Sequence, residues 1–174
     1  MIAQKAVDHP VFGFKFTDEG GELDLGAANL DTFTGDLSVV EVTQNGHWQI
    51  KLDSVNVNGQ EIAADIETIV DTNTLFTYVS PDLAKSFHAQ TPGSAEYPDG
   101  GEGMYRFPCD SQLDITFTFA GKRFPYIPMR NAVQDGSSDC LSTIVGSGSD
   151  NVLLLGNHRR WIVMDYSERK DPTS

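Results

Sequence analysis

No run of about eighteen apolar residues, the length a membrane-spanning helix needs, occurs in the chain, so no such span is expected. Positive charge is scarce: 12 Lys and Arg stand against 25 Asp and Glu, a formal net charge of -13. A phosphate-contacting surface concentrates Lys and Arg, so nucleic acid is not an expected partner. Met1-Ile2-Ala3-Gln4-Lys5 is not followed by the apolar stretch of a signal peptide. Asn-x-Ser and Asn-x-Thr sequons are absent, which decides nothing about secretion. No Gly-x-Ser-x-Gly elbow is present, which argues against a serine hydrolase. Gly20-Gly21 and Gly100-Gly101 lack phosphate-cradling spacing. His9, His47, His88 and His158 share no metal-ligand spacing with one another or with a cysteine, so neither metal nor cofactor is expected. The two cysteines, Cys109 and Cys140, permit one disulfide or two buried free thiols.

What the chain does have is short-range alternation. With 174 residues, 39% of them apolar, it is long enough for one core or two small ones, and nothing in it reads as a linker or an internal repeat. Val11-Phe12-Gly13-Phe14-Lys15-Phe16 and Glu22-Leu23-Asp24-Leu25-Gly26 read as a hairpin around Asp18-Glu19-Gly20-Gly21. Leu37-Ser38-Val39-Val40-Glu41-Val42 reads as a strand. His47 to Val57 reads as further strand, and Asn58-Gly59 turns the chain into Glu61 to Ile66. Ser80 as N-cap, Pro81 at the first helical position and Leu83, Ala84, Phe87 and His88 at turn spacing predict a helix that stops before Thr91-Pro92-Gly93. Residues 91–103 and 134–139 read as loops. Strands are expected at Met104 to Cys109, Leu113 to Phe119, Cys140 to Val145, Val152 to Leu155 and Trp161 to Tyr166. Arg123-Phe124-Pro125-Tyr126-Ile127 reads as an edge strand, because its proline cannot donate to a ladder.

The centre of the chain is Ile69-Val70-Asp71-Thr72-Asn73-Thr74, an apolar strand that runs into a carboxylate and bends at small polar residues. Around it stand Gly21-Glu22-Leu23-Asp24-Leu25-Gly26, Phe33-Thr34-Gly35-Asp36-Leu37, Trp48-Gln49-Ile50, the helix from Ser80, Phe107-Pro108-Cys109, Cys140-Leu141 and Leu154-Leu155-Gly156. In this order the motifs resemble the C-terminal lobe of a pepsin-like aspartic protease, across residues 1–174 as a single domain. The resemblance implies a mostly β fold of antiparallel strands with one short helix, and a Cys109–Cys140 disulfide. It implies that Asp71 is the second-lobe catalytic aspartate and that Thr72 is the residue that bonds across the lobes. Leu154, Leu155 and Gly156 match the supporting motif of two apolar residues and Gly.

Three departures bear on activity. Asn73 stands where the family has Gly, so a Cβ and an amide occupy a place of close approach. The connection Asn157-His158-Arg159-Arg160 is shorter than the family's, and Glu168-Arg169-Lys170-Asp171-Pro172 replaces its final apolar strand. The family's chemistry needs two carboxylates sharing a proton, and no second Asp-Thr-Gly or Asp-Ser-Gly occurs. The expectation is a protease-like protein, non-catalytic by itself, that binds a peptide, protein or carbohydrate. The alternative is an acid endopeptidase formed as a homodimer or with a separate N-terminal-lobe partner. The resemblance implies a secreted or vacuolar setting.

Overall fold

Alternation of apolar and polar residues shapes both compact units into which the chain divides, Met1–Leu37 with Arg159–Ser174 and Ser38–His158. The computed structural model describes residues 6–7, 9–17, 20–27, 29, 38–44, 46–126, 131–156 and 161–165. In the first unit, β1 (Val11–Thr17) pairs with β2 (Gly20–Leu25), as the hairpin reading expects, placing Phe12 opposite Leu25 and Phe14 opposite Leu23. The Phe12 and Phe14 rings meet edge to face at 5.6 Å. Side chains two apart on a strand share a face, so Leu23 and Leu25 sit together, 53% and 51% exposed.

The second unit begins with β3 (Val42–Gln44), β4 (Gln49–Val57) and β5 (Gln60–Val70). The strand expected from Leu37 to Val42 does not form over residues 38–41, which have no ladder partner, and Val39 is 86% exposed. Only Val42 and Gln44 find β4. Asn58 and Gly59 join β4 to β5 with φ of 51° and 81°, the left-handed pair that a two-residue hairpin turn requires. After β6 (Thr77–Tyr78) comes α1 (Pro81–Ala89), whose Ser80 cap accepts a hydrogen bond from the Leu83 amide at 3.2 Å. Such a cap contributes about 1 kcal/mol. Ala84, Phe87 and His88 form the buried stripe of α1.

The segment 91–103 is more ordered than a plain loop, because β7 (Ala95–Glu96) and a short 3-10 turn at Pro98–Gly100 lie within it. Then follow β8 (Tyr105–Pro108), β9 (Ile115–Phe119) and β10 (Lys122–Tyr126). β10 is an edge strand, as Pro125 requires. Next come β11 (Asn131–Ala132), β12 (Asp139–Leu141), β13 (Ile144–Val145) and β14 (Val152–Leu155). The chain returns to the first unit as β15 (Trp161–Asp165), antiparallel to β1.

One large sheet runs β10-β9-β4-β5-β14-β6-β13 with β3 on β4, and a smaller one runs β11-β12-β8-β7. The strand read from Cys140 to Val145 is broken because the chain leaves the small sheet after Leu141 and enters the large one at Ile144. At the break the Ser142 hydroxyl accepts the Ile144 amide hydrogen at 3.1 Å. Not every pair is antiparallel: β14 lies parallel to β5, and β13 parallel to β6. Leu52, Val55 and Val57 of β4 pack with Ile115, Phe117 and Phe119 of β9 and with Val79, Phe87, Tyr126, Ile144 and Leu153. Each large side chain so buried is worth roughly 1.5–3 kcal/mol before ordering costs. The Phe33-Thr34-Gly35-Asp36-Leu37 match, and the departures at residues 157–160 and 168–172, lie outside the described residues.

Candidate functional site

The Asp71 loop is held by a strand threaded between its two arms. β5 brings the chain in and β6 takes it away, and β14 lies between them, parallel to β5 and antiparallel to β6. The register sets Leu154 opposite Ile69 and Leu155 opposite Val70. The Asp71 amide donates to the Leu155 carbonyl at 2.9 Å, and the Val70 amide to the Trp48 carbonyl at 2.9 Å. β14 ends at Gly156, whose amide donates to the Thr77 hydroxyl at 3.4 Å. The main chain on both sides of the carboxylate is therefore fixed before any side chain is considered.

Gly156 is needed for its lack of a side chain. A Cβ there would collide with the Phe76 carbonyl oxygen, and would lie 2.8 Å from the Phe76 carbonyl carbon and 2.9 Å from the Thr74 oxygen. These are backbone atoms and cannot rotate away. The motif Leu154-Leu155-Gly156 thus has a mechanical meaning: two residues continue the ladder, and the third lets the returning loop close against it.

Asp71 itself is half-buried, and its Oδ1 accepts the Asn73 amide hydrogen at 2.8 Å. Such a side-chain turn aims the carboxylate back over the loop. Thr72 is half-buried and Asn73 exposed. Asn73 does not use its tolerance of left-handed backbone, since the non-glycine residues with positive φ among the described ones are Asn58, Asp65 and Ala120. The loop ends in Leu75, 57% exposed.

Nothing local in the sequence singles out Thr77. It is fully buried, donates its amide to the Thr143 carbonyl at 2.8 Å and receives the Gly156 amide on its hydroxyl. Its place in a short apolar segment is too slight a signal, because the partner that gives it meaning is 79 residues away in sequence.

The two cysteines are joined, with Cα atoms 4.9 Å apart. The bridge links the end of β8 to β12 in the small sheet, where Arg106 pairs with Asp135 at 3.1 Å and Asp139 at 3.5 Å. No group of His, Cys, Asp and Glu among the described residues is placed to hold a metal ion. No helix among them is long and apolar enough to cross a membrane.

The family model for eukaryotic aspartyl protease matches residues 1–168. The chain is 34% identical over 166 residues to the "Aspartic protease" of Phaffia rhodozyma, covering 90% of this chain and 40% of that protein. It is 30% identical over 154 residues to "Vacuolar protease A" of Neurospora crassa, covering 84% and 37%. With "Pepsin A" of Sus scrofa the identity is 33% over 162 residues, covering 88% and 42%. The chain spans about two fifths of the length of these relatives.

Proposed function

This chain belongs to the eukaryotic aspartyl protease family, and on that premise we propose that it carries half of an acid endopeptidase's chemistry, with Asp71 as its single catalytic carboxylate. The observation that carries the reading is the threading of β14 through the Asp71 loop, which fixes the carboxylate by main-chain bonds and leaves it half-buried at a surface. Peptide hydrolysis by this route requires two adjacent carboxylates. Repulsion between them drives their proton affinities apart, so one activates water while the other protonates the carbonyl. Asp71 supplies one of the two.

By itself the chain is catalytically silent. The second carboxylate comes from a companion: a separate first-lobe chain, or a second copy of this one. Leu75 beside the Asp71 loop, and the Leu23 and Leu25 pair on β2, are the kind of exposed apolar groups that a companion covers. An acidic vacuolar or secreted setting belongs to the same proposal, since the shared proton is retained there.

A second reading is favoured by Asn73, whose exposed side chain stands in the loop where close approach is needed. Under it the chain works by binding a peptide, protein or carbohydrate, without cleavage.

Sedimentation and a peptide-cleavage assay across acidic and neutral pH, on the chain and its Asp71→Asn variant, separate the two. Cleavage by an associated form that vanishes with Asp71→Asn establishes the enzyme. A monomer that stays silent when a first-lobe chain is added leaves the binding protein.

A further inference from the structure

The buried imidazole of His88 belongs to no part of the Asp71 chemistry, yet it sits where three elements meet. It projects from α1, stacks on the Tyr105 ring of β8 at 4.0 Å with the planes 11° apart, and reaches the break between β12 and β13. Its Nδ1 lies 3.1 Å from the Ser94 hydroxyl, and its Nε2 lies 3.3 Å from the Ser142 hydroxyl and 3.4 Å from the Ile144 carbonyl. With one proton, on Nε2, the ring serves the Ile144 carbonyl and accepts the Ser94 hydroxyl hydrogen. With two protons it can accept nothing, so the Ser94 hydroxyl hydrogen must go to the Arg106 carbonyl 3.0 Å away, while Nε2, a donor in both states, keeps its partners.

The surroundings offer no compensation for the added charge. Segments 91–94 and 142–145 carry no titratable side chain. β8 brings Tyr105, whose hydroxyl is pushed up by burial and by Glu96 of β7, and Arg106, whose guanidinium faces Asp135 and Asp139. On α1 itself, Asp82 and Lys85 are exposed. Among the described residues no carboxylate lies at ion-pair distance from the ring. Burial accordingly holds the imidazole down to about 4 from its ordinary 6.5, against the smaller opposing pull of the Ile144 carbonyl.

What the ring supports is one arm of the Asp71 loop. The Thr77 amide donates to Thr143 at 2.8 Å and the Val79 amide to Val145 at 3.0 Å, so the 142–145 segment carries β6. Thr77 in turn receives the Gly156 amide. We propose that His88 is an acid-released clasp: taking up a proton loosens α1 from β8 and β13 and, through residues 142–145, frees the Asp71 loop. The clasp operates in either reading of the chain's function, because it depends on no second carboxylate.

The sign follows from linkage. The folded state binds the proton more weakly than the unfolded chain, so the stabilisation is complete above 6.5, declines as pH falls and is exhausted below about 4. Across that window this group raises the unfolding equilibrium constant on the order of 100-fold. NMR titration of the His88 ring, with hydrogen-exchange protection factors for Asp71, Thr77 and Val79, tests this in the unmodified protein. A ring midpoint near 4 with protection of those amides lost on protonation is expected. A midpoint near 6.5, or protection that does not follow the ring, overturns the proposal. His88→Gln should remove this part of the pH dependence of unfolding, and an unchanged slope would count equally against it. Should that variant not fold, Ser94→Ala, which removes the Nδ1 partner, must still move the ring midpoint.

Discussion

Two regions of the Ser38–His158 unit are fastened by different means. The Asp71 loop is tied by a ladder of amides, with a glycine where the chain must close. The β8–β12 sheet adds side-chain ties to its ladder: a disulfide, an arginine between two aspartates, and that guanidinium 5.7 Å from the Tyr97 ring. A main-chain ladder fixes position without using the carboxylate. Side-chain ties consume the groups that make them, which suits a region whose task is to hold.

Separating the two fastenings is the sharpest way to probe the contrast. Reduction of the disulfide, or paired substitution of Cys109 and Cys140 by Ser, should cost about 3–4 kcal/mol from the loop it closes. Denaturant unfolding reads that loss, and amide protection of Asp71 should fall no faster than global stability. Gly156→Ala should cost about 3 kcal/mol by overpacking against backbone, and here protection at Asp71 and Thr77 should collapse while the disulfide region keeps its own. Removing the helix cap with Ser80→Ala should cost about 1 kcal/mol, felt equally in both regions because α1 packs under the shared core. Smallest is Arg106→Gln, at roughly 0–1 kcal/mol and diminishing as salt is added, because the pairs are partly exposed. A large, salt-independent effect there would erase the distinction between the two regions.

Some of this was legible in the residues. Asn58-Gly59 specifies its turn and Ser80-Pro81 its helix start, since both rest on neighbours in sequence. The alternation from Ile115 to Phe119 likewise marks its strand. The Cys140 to Val145 segment reads as one strand in sequence, whereas its two halves join different sheets and only distant partners decide that. Residues 38–41 look like a strand and lack a ladder to join. At the site, Asp71 and Leu154-Leu155-Gly156 were found through family resemblance, and their mutual placement needed coordinates. Thr77 and the hub at His88 have no local signature, because their meaning lies in what they touch.

The threading of β14 also sets an order of events. Gly156 and Thr77 are 79 residues apart, and β14 must settle between two strands that it does not adjoin in sequence. Contacts of such span form late, after the local hairpins have paid their loop-closure entropy. The β4–β5 hairpin can therefore stand early, with its last residue already leading into an open loop. The carboxylate acquires its final geometry only when the distant strand arrives, so a chain stalled before that point is largely built yet leaves Asp71 unplaced.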